Sequence, residues 1–569
     1  MSLNVESVGS QQLGHLGLMA GVIRDLGLIE KIDARLCLDS TKGGIVGYGQ
    51  RVAAMVLNGL GFMTKRLYMT PHFFSDKPIP ELLGPGIDAS HLNDDCLGRC
   101  LDKIADYGVT KLLSEVAFEV AQEQKVLPSL LHLDSTSFSL PGDYEDVSPD
   151  STPRPCHGYS KDKRPDLKQV MLSLTQGGAA NLPLWIEPQD GNTSDKTSFH
   201  ETVKRVQAFI QRIEHAPDNL CFVVDSAFYV PEKLAQLEEV YWITRVPSTL
   251  KQAKALLTTS TLDCSWTTID ENYAWICEEK TLANIRQRWV MIRSQQAYSR
   301  ELTTFHRRLE KGYDTLNHSL WHLSHQVFSC EADVRKAITP YLKKLTFHDV
   351  SYTIKPIFKY KKRGRPSPSD KKIPCGYQIS YTITSNLMAV RQHKDCLGRF
   401  ILATNQCDRR VLSNEAVLSQ YKQQSTVETG FKFIKDNAFE LDSFYLKTPE
   451  RIGALMAVMT FCLLVYNFSQ YHIRKCLDEN DDALPNQLGK PVKNPTMKWI
   501  AELMGPITIV SIQLSGKQQR FITNVNPIHK RIIAYFGLKT LSLYELPPDI
   551  RAELIPYHRY KKLIDWCQT

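Results

Sequence analysis

The sequence lacks the features by which several classes of protein are recognised. None of its 14 cysteines forms a Cys-x-x-Cys pair, which disfavours a structural zinc site and favours reduced thiols. No basic region with an apolar core follows Met1, so we expect no secretory signal. The longest apolar run, residues 452–468, is interrupted by Thr460 and Asn467. We therefore expect a buried core helix there and no association with a membrane.

The chain as a whole has only a small excess of positive charge, but this charge is unevenly distributed. The 69 Lys and Arg residues exceed the 61 Asp and Glu residues by a net +8, in an otherwise ordinary globular composition. Residues 341–410 hold 15 Lys and Arg against 4 Asp and Glu, a net of +11, so the rest of the chain sums to −3. This concentration indicates a local surface that binds a polyanion.

Hydrophobic periodicity divides the 569 residues into helical and mixed segments, as expected for a chain of several domains. Strand-like runs joined by helices predict a mixed α/β sheet, interrupted by a β-rich insertion and flanked by helical N-terminal and C-terminal regions. A long helix is predicted over residues 414–437. The predicted strands of the sheet cover residues 129–139, 169–174, 182–188, 220–224, 241–246 and 399–404, and the predicted domains cover 1–125, 126–247, 248–398, 399–470 and 471–569.

Three carboxylates are candidates for catalysis. Asp134 and Asp225 each end an apolar run and are each followed by serine. Functional groups gather at the carboxyl ends of strands in α/β sheets, although a single aspartate at that position is more often a turn or cap residue. Glu428 lies within the predicted long helix, where an exposed glutamate alone carries no functional signal.

The spacing around this glutamate carries a resemblance. Tyr421-x2-Gln424-x3-Glu428-x6-Lys435 resembles the Y-x2-R-x3-E-x6-K signature of insertion-sequence DDE transposases, whose catalytic domain has a ribonuclease H-like fold. Residues 158–170 and 191–197 are similar to a subgroup with a helical N-terminal domain, and the likeness covers about residues 130–470. It implies a ribonuclease H-like mixed sheet with a β-rich insertion before the glutamate-bearing helix.

The resemblance also implies a metal site and a reaction. Asp134, Asp225 and Glu428 occupy the positions of the family's catalytic carboxylates, which implies that they bind two Mg²⁺ ions, with Mn²⁺ as a possible substitute. Two such ions can stabilise the attacking and leaving oxygens of a phosphoryl transfer, and Mg²⁺ prefers oxygen ligands. Water would cleave the DNA, and the freed 3′-hydroxyl would then attack the target.

Contacts with DNA are expected at several further residues. Tyr421 and Lys435 flank Glu428 by seven residues on each side, near one helix face, and are expected to meet phosphates of the transposon end. Gln424 replaces the arginine of the signature, so its contact would lack charge. Phe400 stands where a relative carries a tryptophan that stacks on a flipped base, and the alternative is an ordinary strand core residue.

The basic insertion contains a second candidate DNA contact. Lys361, Lys362, Arg363 and Arg365 surround an Arg-Gly-Arg core that is slim enough for an A·T minor groove. A basic loop that touches phosphates without sequence preference is the alternative. The loop that precedes the second strand adds possible backbone contacts at His157, Lys161, Lys163 and Lys168.

Together these patterns predict a DNA transposase that binds the terminal inverted repeats of its element, cleaves at the ends and joins the 3′ ends to target DNA. We expect a homodimer on paired ends and a cytoplasmic, nucleoid-associated location in a prokaryote. The helical N-terminal domain is the candidate for end recognition or dimerisation. Three alternatives remain open: a nuclease of the same fold that does not join strands, a DNA-binding protein without catalysis, and, less compatible with the basic insertion, a glycosidase with paired carboxylates.

Overall fold

The computed structural model describes residues 5–37, 45–62, 67–142, 144, 151–214, 217, 219–237, 240–259, 265–360, 371–435, 448–514 and 517–550. Its contacts divide the chain into two compact units. The first unit combines Met1–Ile243 with Gln420–Thr569, and the second is Thr244–Ser419.

The N-terminal segment is mainly helical because its apolar residues recur every three or four positions and are buried together. Asn93 begins one of these helices by accepting a hydrogen bond from the Cys96 backbone N–H at 2.9 Å. The first element, however, is a strand that the sequence pattern does not predict. The elements are β1 (Val5–Gln12), α1 (Leu16–Asp25), α2 (Leu28–Arg35), α3 (Tyr48–Leu60), α4 (Thr70–Phe74), α5 (Ile79–Leu83), α6 (Asp94–Tyr107) and α7 (Val109–Glu123).

A mixed sheet follows in the same unit, and the strand predictions for this segment are confirmed. The strands run in the spatial order β4-β3-β2-β5-β6, with β2, β3 and β4 antiparallel and β2 parallel to β5. This order gives the ribonuclease H-like arrangement, so the expected fold class is confirmed. The elements are β2 (Leu130–Leu140), β3 (Lys168–Gly177), β4 (Leu182–Asp190), α8 (Asp195–Ile210), β5 (Cys221–Val224), α9 (Pro231–Leu234) and β6 (Tyr241–Arg245).

The second unit contains strands in the order β12-β9-β8-β7 and a separate hairpin of β10 and β11. The hairpin packs with two helices around a small core of its own, centred on Leu320, Val334, Ile338 and Ile379. The elements are α10 (Lys251–Leu257), β7 (Thr267–Thr268), β8 (Tyr273–Leu282), β9 (Ile285–Ser294), α11 (Gln295–Ser324), α12 (Glu331–Leu342), β10 (His348–Tyr360), β11 (Lys372–Ser385), α13 (Leu387–Cys396) and β12 (Arg399–Thr404).

The helix predicted over 414–437 is divided in two: α14 (Asn414–Lys422) and α15 (Ser425–Ile434). The backbone N–H groups of Gln424 and Val427 bond to carbonyls three residues back rather than four. The hydroxyls of Ser425 and Thr426 also donate to the carbonyls of Lys422 and Gln423, which competes with the helical ladder. The prediction of one continuous helix is therefore wrong at this point.

The C-terminal part of the first unit begins with the apolar segment that the sequence assigns to a core helix. This helix is long and apolar enough to span a membrane by length and composition, but 83% of its most apolar window is buried inside the protein. It packs against α3, α6, α7 and β4, as expected of a core helix. The elements are α16 (Pro449–Glu479), β13 (Leu484–Pro485), β14 (Pro491–Val492), α17 (Met497–Met504), β15 (Thr508–Leu514), β16 (Lys517–Thr523), α18 (Pro527–Tyr535) and α19 (Leu538–Leu543).

A three-stranded antiparallel sheet joins the two ends of the first unit. β1 pairs with β15, and β15 pairs with β16. The sequence pattern predicts mainly helices at both ends, because short polar strands such as Val5–Gln12 show no apolar alternation to mark them. Their pairing partners lie about 500 residues apart in the chain, and only the tertiary structure brings them together.

Candidate active site

Asp134 and Asp225 lie on neighbouring parallel strands. Leu133 of β2 is paired with Val224 of β5, so the two aspartates that follow them are adjacent across the sheet. Asp225 comes directly after β5, and its Oδ1 accepts a hydrogen bond from the Ala227 N–H at 2.8 Å. Asp134 does not end its strand as predicted, because β2 continues to Leu140 through its pairing with β3. The aspartate pair therefore lies at the end of one strand and within the other.

A lysine, a serine and a third aspartate form a hydrogen-bonded network beside Asp134. Ser135 Oγ donates to Asp195 Oδ1 at 2.5 Å, and Lys161 Nζ donates to the Ser135 carbonyl at 2.6 Å and to Ser135 Oγ at 3.0 Å. Lys161 Nζ also lies 3.5 Å from Asp195 Oδ2. The sequence pattern does not single out Asp195, although residues 191–197 are part of the family resemblance. The one local signal is its position in the first turn of α8.

The carboxylates of this site repel one another in a partly buried environment. Burial raises the pKa of Asp134 to about 6; Lys161 and the Ser135 N–H oppose this rise, while Asp225 and Asp195 add to it. Burial likewise raises the pKa of Asp225, and the charge of Asp195 raises it further. Three carboxylates thus face one ammonium group, so the site carries an excess of negative charge that favours a bound cation.

Glu428 is not gathered with these aspartates. It lies on α15, which packs against β2 and β3 through its buried Val427, Phe431 and Ile434, and the glutamate side chain is exposed. Within the part of the chain that the structure describes, no three His, Cys, Asp or Glu residues are close enough together to hold a metal ion. The expected convergence of all three carboxylates is therefore not observed in this structure.

Gln424, which precedes α15, forms hydrogen bonds with β2. Its Nε2 donates to the Leu133 carbonyl at 2.9 Å, and its Oε1 lies 3.3 Å from His132 Nδ1. Burial lowers the pKa of His132, and the hydrogen bond with Gln424 opposes that effect. The residue that replaces the signature arginine thus contacts the backbone immediately before Asp134. Whether it also contacts DNA stays a prediction.

The remaining predicted DNA contacts have different surroundings. Lys435 Nζ pairs with Asp162 at 2.9 Å and lies 5.3 Å from the centre of the Phe138 ring. Tyr421 is half-buried on α14, and the break between α14 and α15 separates it from the helix that carries Glu428. In the second unit, Phe400 is half-buried on β12, with the Arg245 guanidinium carbon 5.3 Å from the centre of its ring.

The predicted basic contacts are only partly covered by the described residues. Lys361, Lys362, Arg363 and Arg365 lie outside the described residues. His157 and Lys163 are exposed in the segment before β3, where they are available to a ligand. Lys168 is half-buried at the start of β3, and its Nζ donates to the Tyr144 carbonyl at 3.3 Å.

The donor chemistry of the aspartate pair fits a divalent cation that prefers oxygen. Asp134 and Asp225 supply carboxylate oxygens from adjacent strands, and their pKa values are raised mainly by burial and further by the neighbouring aspartates. A third protein ligand is not in place beside them in the described residues. The structure is therefore consistent with metal binding by two of the three predicted ligands, Asp134 and Asp225.

Two family models match parts of the chain. A family model described as "Transposase DDE domain" matches residues 126–468, and one described as a domain of unknown function (DUF4277) matches residues 8–118. No curated protein matches the chain. A cryo-EM structure of the piggyBac transposase synaptic complex with hairpin DNA is similar with a TM-score of 0.36 and 8% identity, over 96% of this chain and 87% of that chain. The fold assignment rests on the strand order itself.

Proposed function

The chain belongs to the family of transposases with a DDE domain, and from this premise we propose that it is an insertion-sequence enzyme of the Tyr-Arg-Glu-Lys type. It binds the terminal inverted repeats of its element, cleaves the DNA there in the presence of Mg²⁺, and joins the freed 3′ ends to target DNA. The observation that carries the proposal is the adjacency of Asp134 and Asp225 on paired strands with uncompensated negative charge.

Asp134 and Asp225 would hold Mg²⁺, and Glu428 is the proposed third ligand. When bound, Mg²⁺ stabilises charge on the attacking and leaving oxygens of a phosphoryl transfer. Mn²⁺, which accepts the same oxygen ligands, is the expected substitute. Lys161 and Asp195 hold Ser135 in place, and this fixes the backbone on one side of Asp134. Gln424 fixes the other side through the Leu133 carbonyl.

DNA contacts are proposed for residues of each unit. Lys435 is held by one exposed aspartate, Asp162, and a phosphate of the transposon end would replace that partner. Tyr421 is the second proposed contact on this segment. Phe400, whose ring already faces a guanidinium group, is the proposed platform for a flipped base. The protein would act as a homodimer on paired ends, located in the cytoplasm with the nucleoid.

The cleavage assay tests this function. With DNA taken from both ends of the element and Mg²⁺ present, the wild-type protein is expected to produce 3′-hydroxyl ends and joined products on denaturing gels. Asp225→Ala is expected to lower cleavage by at least a hundredfold and to leave DNA affinity within about threefold, since the aspartate contributes charge to the reaction and not to binding.

Asp478→Ala, at an exposed aspartate near the end of α16, is the matched control and should cleave as the wild type does. Equal cleavage by Asp225→Ala and wild type would refute the catalytic assignment. Cleavage without any joined product would instead identify a nuclease of the same fold.

A further inference from the structure

A cavity of about 690 Å³ lies within the second unit, between α11 and the segment that connects α12 with β10. Its volume falls in the range of roughly 300–1,000 Å³ that is usual for sites that bind small molecules. The elements around it, α11, α12 and the hairpin of β10 and β11, share the small core described above. No residue of the aspartate site contributes to it.

The lining of the cavity is strongly basic. It includes Arg307, Arg308 and Lys311 of α11, and Lys344, which follows the end of α12. None of the four forms an ion pair with a carboxylate of the described residues, and no Asp or Glu is among the lining residues. Four like charges without a counter-ion favour an anionic ligand.

The cavity also has apolar and aromatic lining residues. Leu316, Tyr341, Leu345 and Phe347 line it. The Phe347 ring is held edge-on against Phe305 at 5.0 Å, and the Arg308 guanidinium carbon lies 5.7 Å from its centre. A rigid aromatic ring beside unpaired cations is the combination that binds a base and its phosphate together.

We propose that this cavity binds an unpaired nucleotide of a single DNA strand, with its phosphate against Arg307, Lys311 and Lys344 and its base against Phe347. The proposal rests on the proposed function, because it identifies the second unit as a holder of single-stranded DNA during strand exchange. Inorganic phosphate carries the negative charge but has no base. Its binding would therefore not depend on Phe347, whereas the binding of a nucleotide would.

Binding of a fluorescent 12-nucleotide oligo-dT strand to the full chain, followed by anisotropy without Mg²⁺, tests the cavity. The double variant Lys311→Glu with Lys344→Glu is expected to bind at least tenfold more weakly than wild type. The control, Lys254→Glu with Lys336→Glu, makes the same charge change at exposed positions outside the cavity and is expected to lose no more than about threefold. Circular dichroism checks that both variants are folded.

Phe347→Leu keeps the lining apolar but removes the ring, and the affinity for the oligo-dT strand is expected to fall about fivefold. Equal weakening by the two charge variants, or full affinity in Phe347→Leu, overturns the inference. Millimolar inorganic phosphate that displaces the strand as well as an unlabelled strand does would show a phosphate site only, and also overturns it. If the wild type does not cleave end DNA but still binds the strand through the cavity, the transposase function is refuted and the proposed nucleotide site is not.

Discussion

At the scale of single residues, the site depends on contacts that reach Asp134 from both sides. The Ser135 N–H donates to its carboxylate at 2.7 Å, and Lys161 and Asp195 hold Ser135. The sequence indicates Asp134 and Asp225 because each follows an apolar run. It does not indicate Asp195, because that residue joins the group only through the folding of α8 against the turn after β5.

Gln424 is expected to position the start of α15 through its hydrogen bond to β2. Gln424→Ala removes the donor to the Leu133 carbonyl and should lower the free energy of unfolding by about 1 kcal/mol, the usual net value of one hydrogen bond. End cleavage should fall while the DNA affinity stays within about twofold. Urea denaturation and filter binding measure the two quantities.

Gln423→Ala is the control, since this neighbouring side chain is exposed. A fall in DNA affinity without a change in stability would mean that Gln424 contacts the DNA, as the signature position implies, and that its hydrogen bond to β2 is unimportant.

At the scale of secondary structure, helices are attached to the sheet by specific polar contacts as well as by apolar packing. Glu187 of β4 is buried and accepts hydrogen bonds from Arg205 and Thr202 of α8 and from Trp185. Burial raises the pKa of Glu187, but these hydrogen bonds outweigh burial, and the pKa lies below its ordinary value. This pair of elements leads directly to β5 and Asp225.

Glu187→Gln is expected to lower the free energy of unfolding by about 2–3 kcal/mol at pH 7, because it leaves Arg205 without its charged partner. The pKa of the folded carboxyl is depressed, so its stabilisation is present above the ordinary value of 4.5 and is lost as the pH falls through the folded value. Chemical denaturation from pH 7 to pH 3 should therefore show the difference between wild type and variant shrinking.

Glu201→Gln on the same helix is the control, since that carboxylate is exposed and its ion pair with Lys204 lies on the surface. A difference between wild type and Glu187→Gln that persists undiminished at pH 3 would contradict the assigned role of the ionised carboxyl.

At the scale of the whole molecule, the basic charge and the aspartate pair belong to different units. The net +11 of residues 341–410 lies in the second unit, and Asp134 and Asp225 lie in the first. Attraction to DNA and cleavage of DNA are therefore expected to respond to separate substitutions. The charge of the second unit should set the salt dependence of binding.

Lys361→Ala with Lys362→Ala is expected to reduce the slope of log affinity against log salt concentration by about 1–2, since each lost phosphate contact contributes about 0.9. Titrations from 50 to 200 mM salt with duplex end DNA measure this slope. Lys475→Ala with Lys490→Ala removes the same charge from the first unit. A matching reduction by this control pair would mean that binding follows total charge and not the basic insertion.

The oligomeric state on DNA is a prediction of its own. With end DNA, the mass of the complex in solution is expected to correspond to two protein chains and two DNA ends, because cutting and joining both ends of one element requires them to be held together. Size-exclusion chromatography with light scattering measures that mass. A single chain on a single end, under conditions where both ends are joined, would contradict the proposed homodimer.

The sequence by itself determined the mixed sheet and a buried helix over residues 452–468, and it singled out the two aspartates, because these depend on local hydrophobic runs and on the residues that follow them. Only the tertiary structure decided that β1 pairs with β15, that Asp195 and Lys161 join Asp134, and that Gln424 bonds to β2. Each of these depends on residues far apart in the chain. The local sequence pattern does not show which distant polar groups will form hydrogen bonds with one another when they are buried.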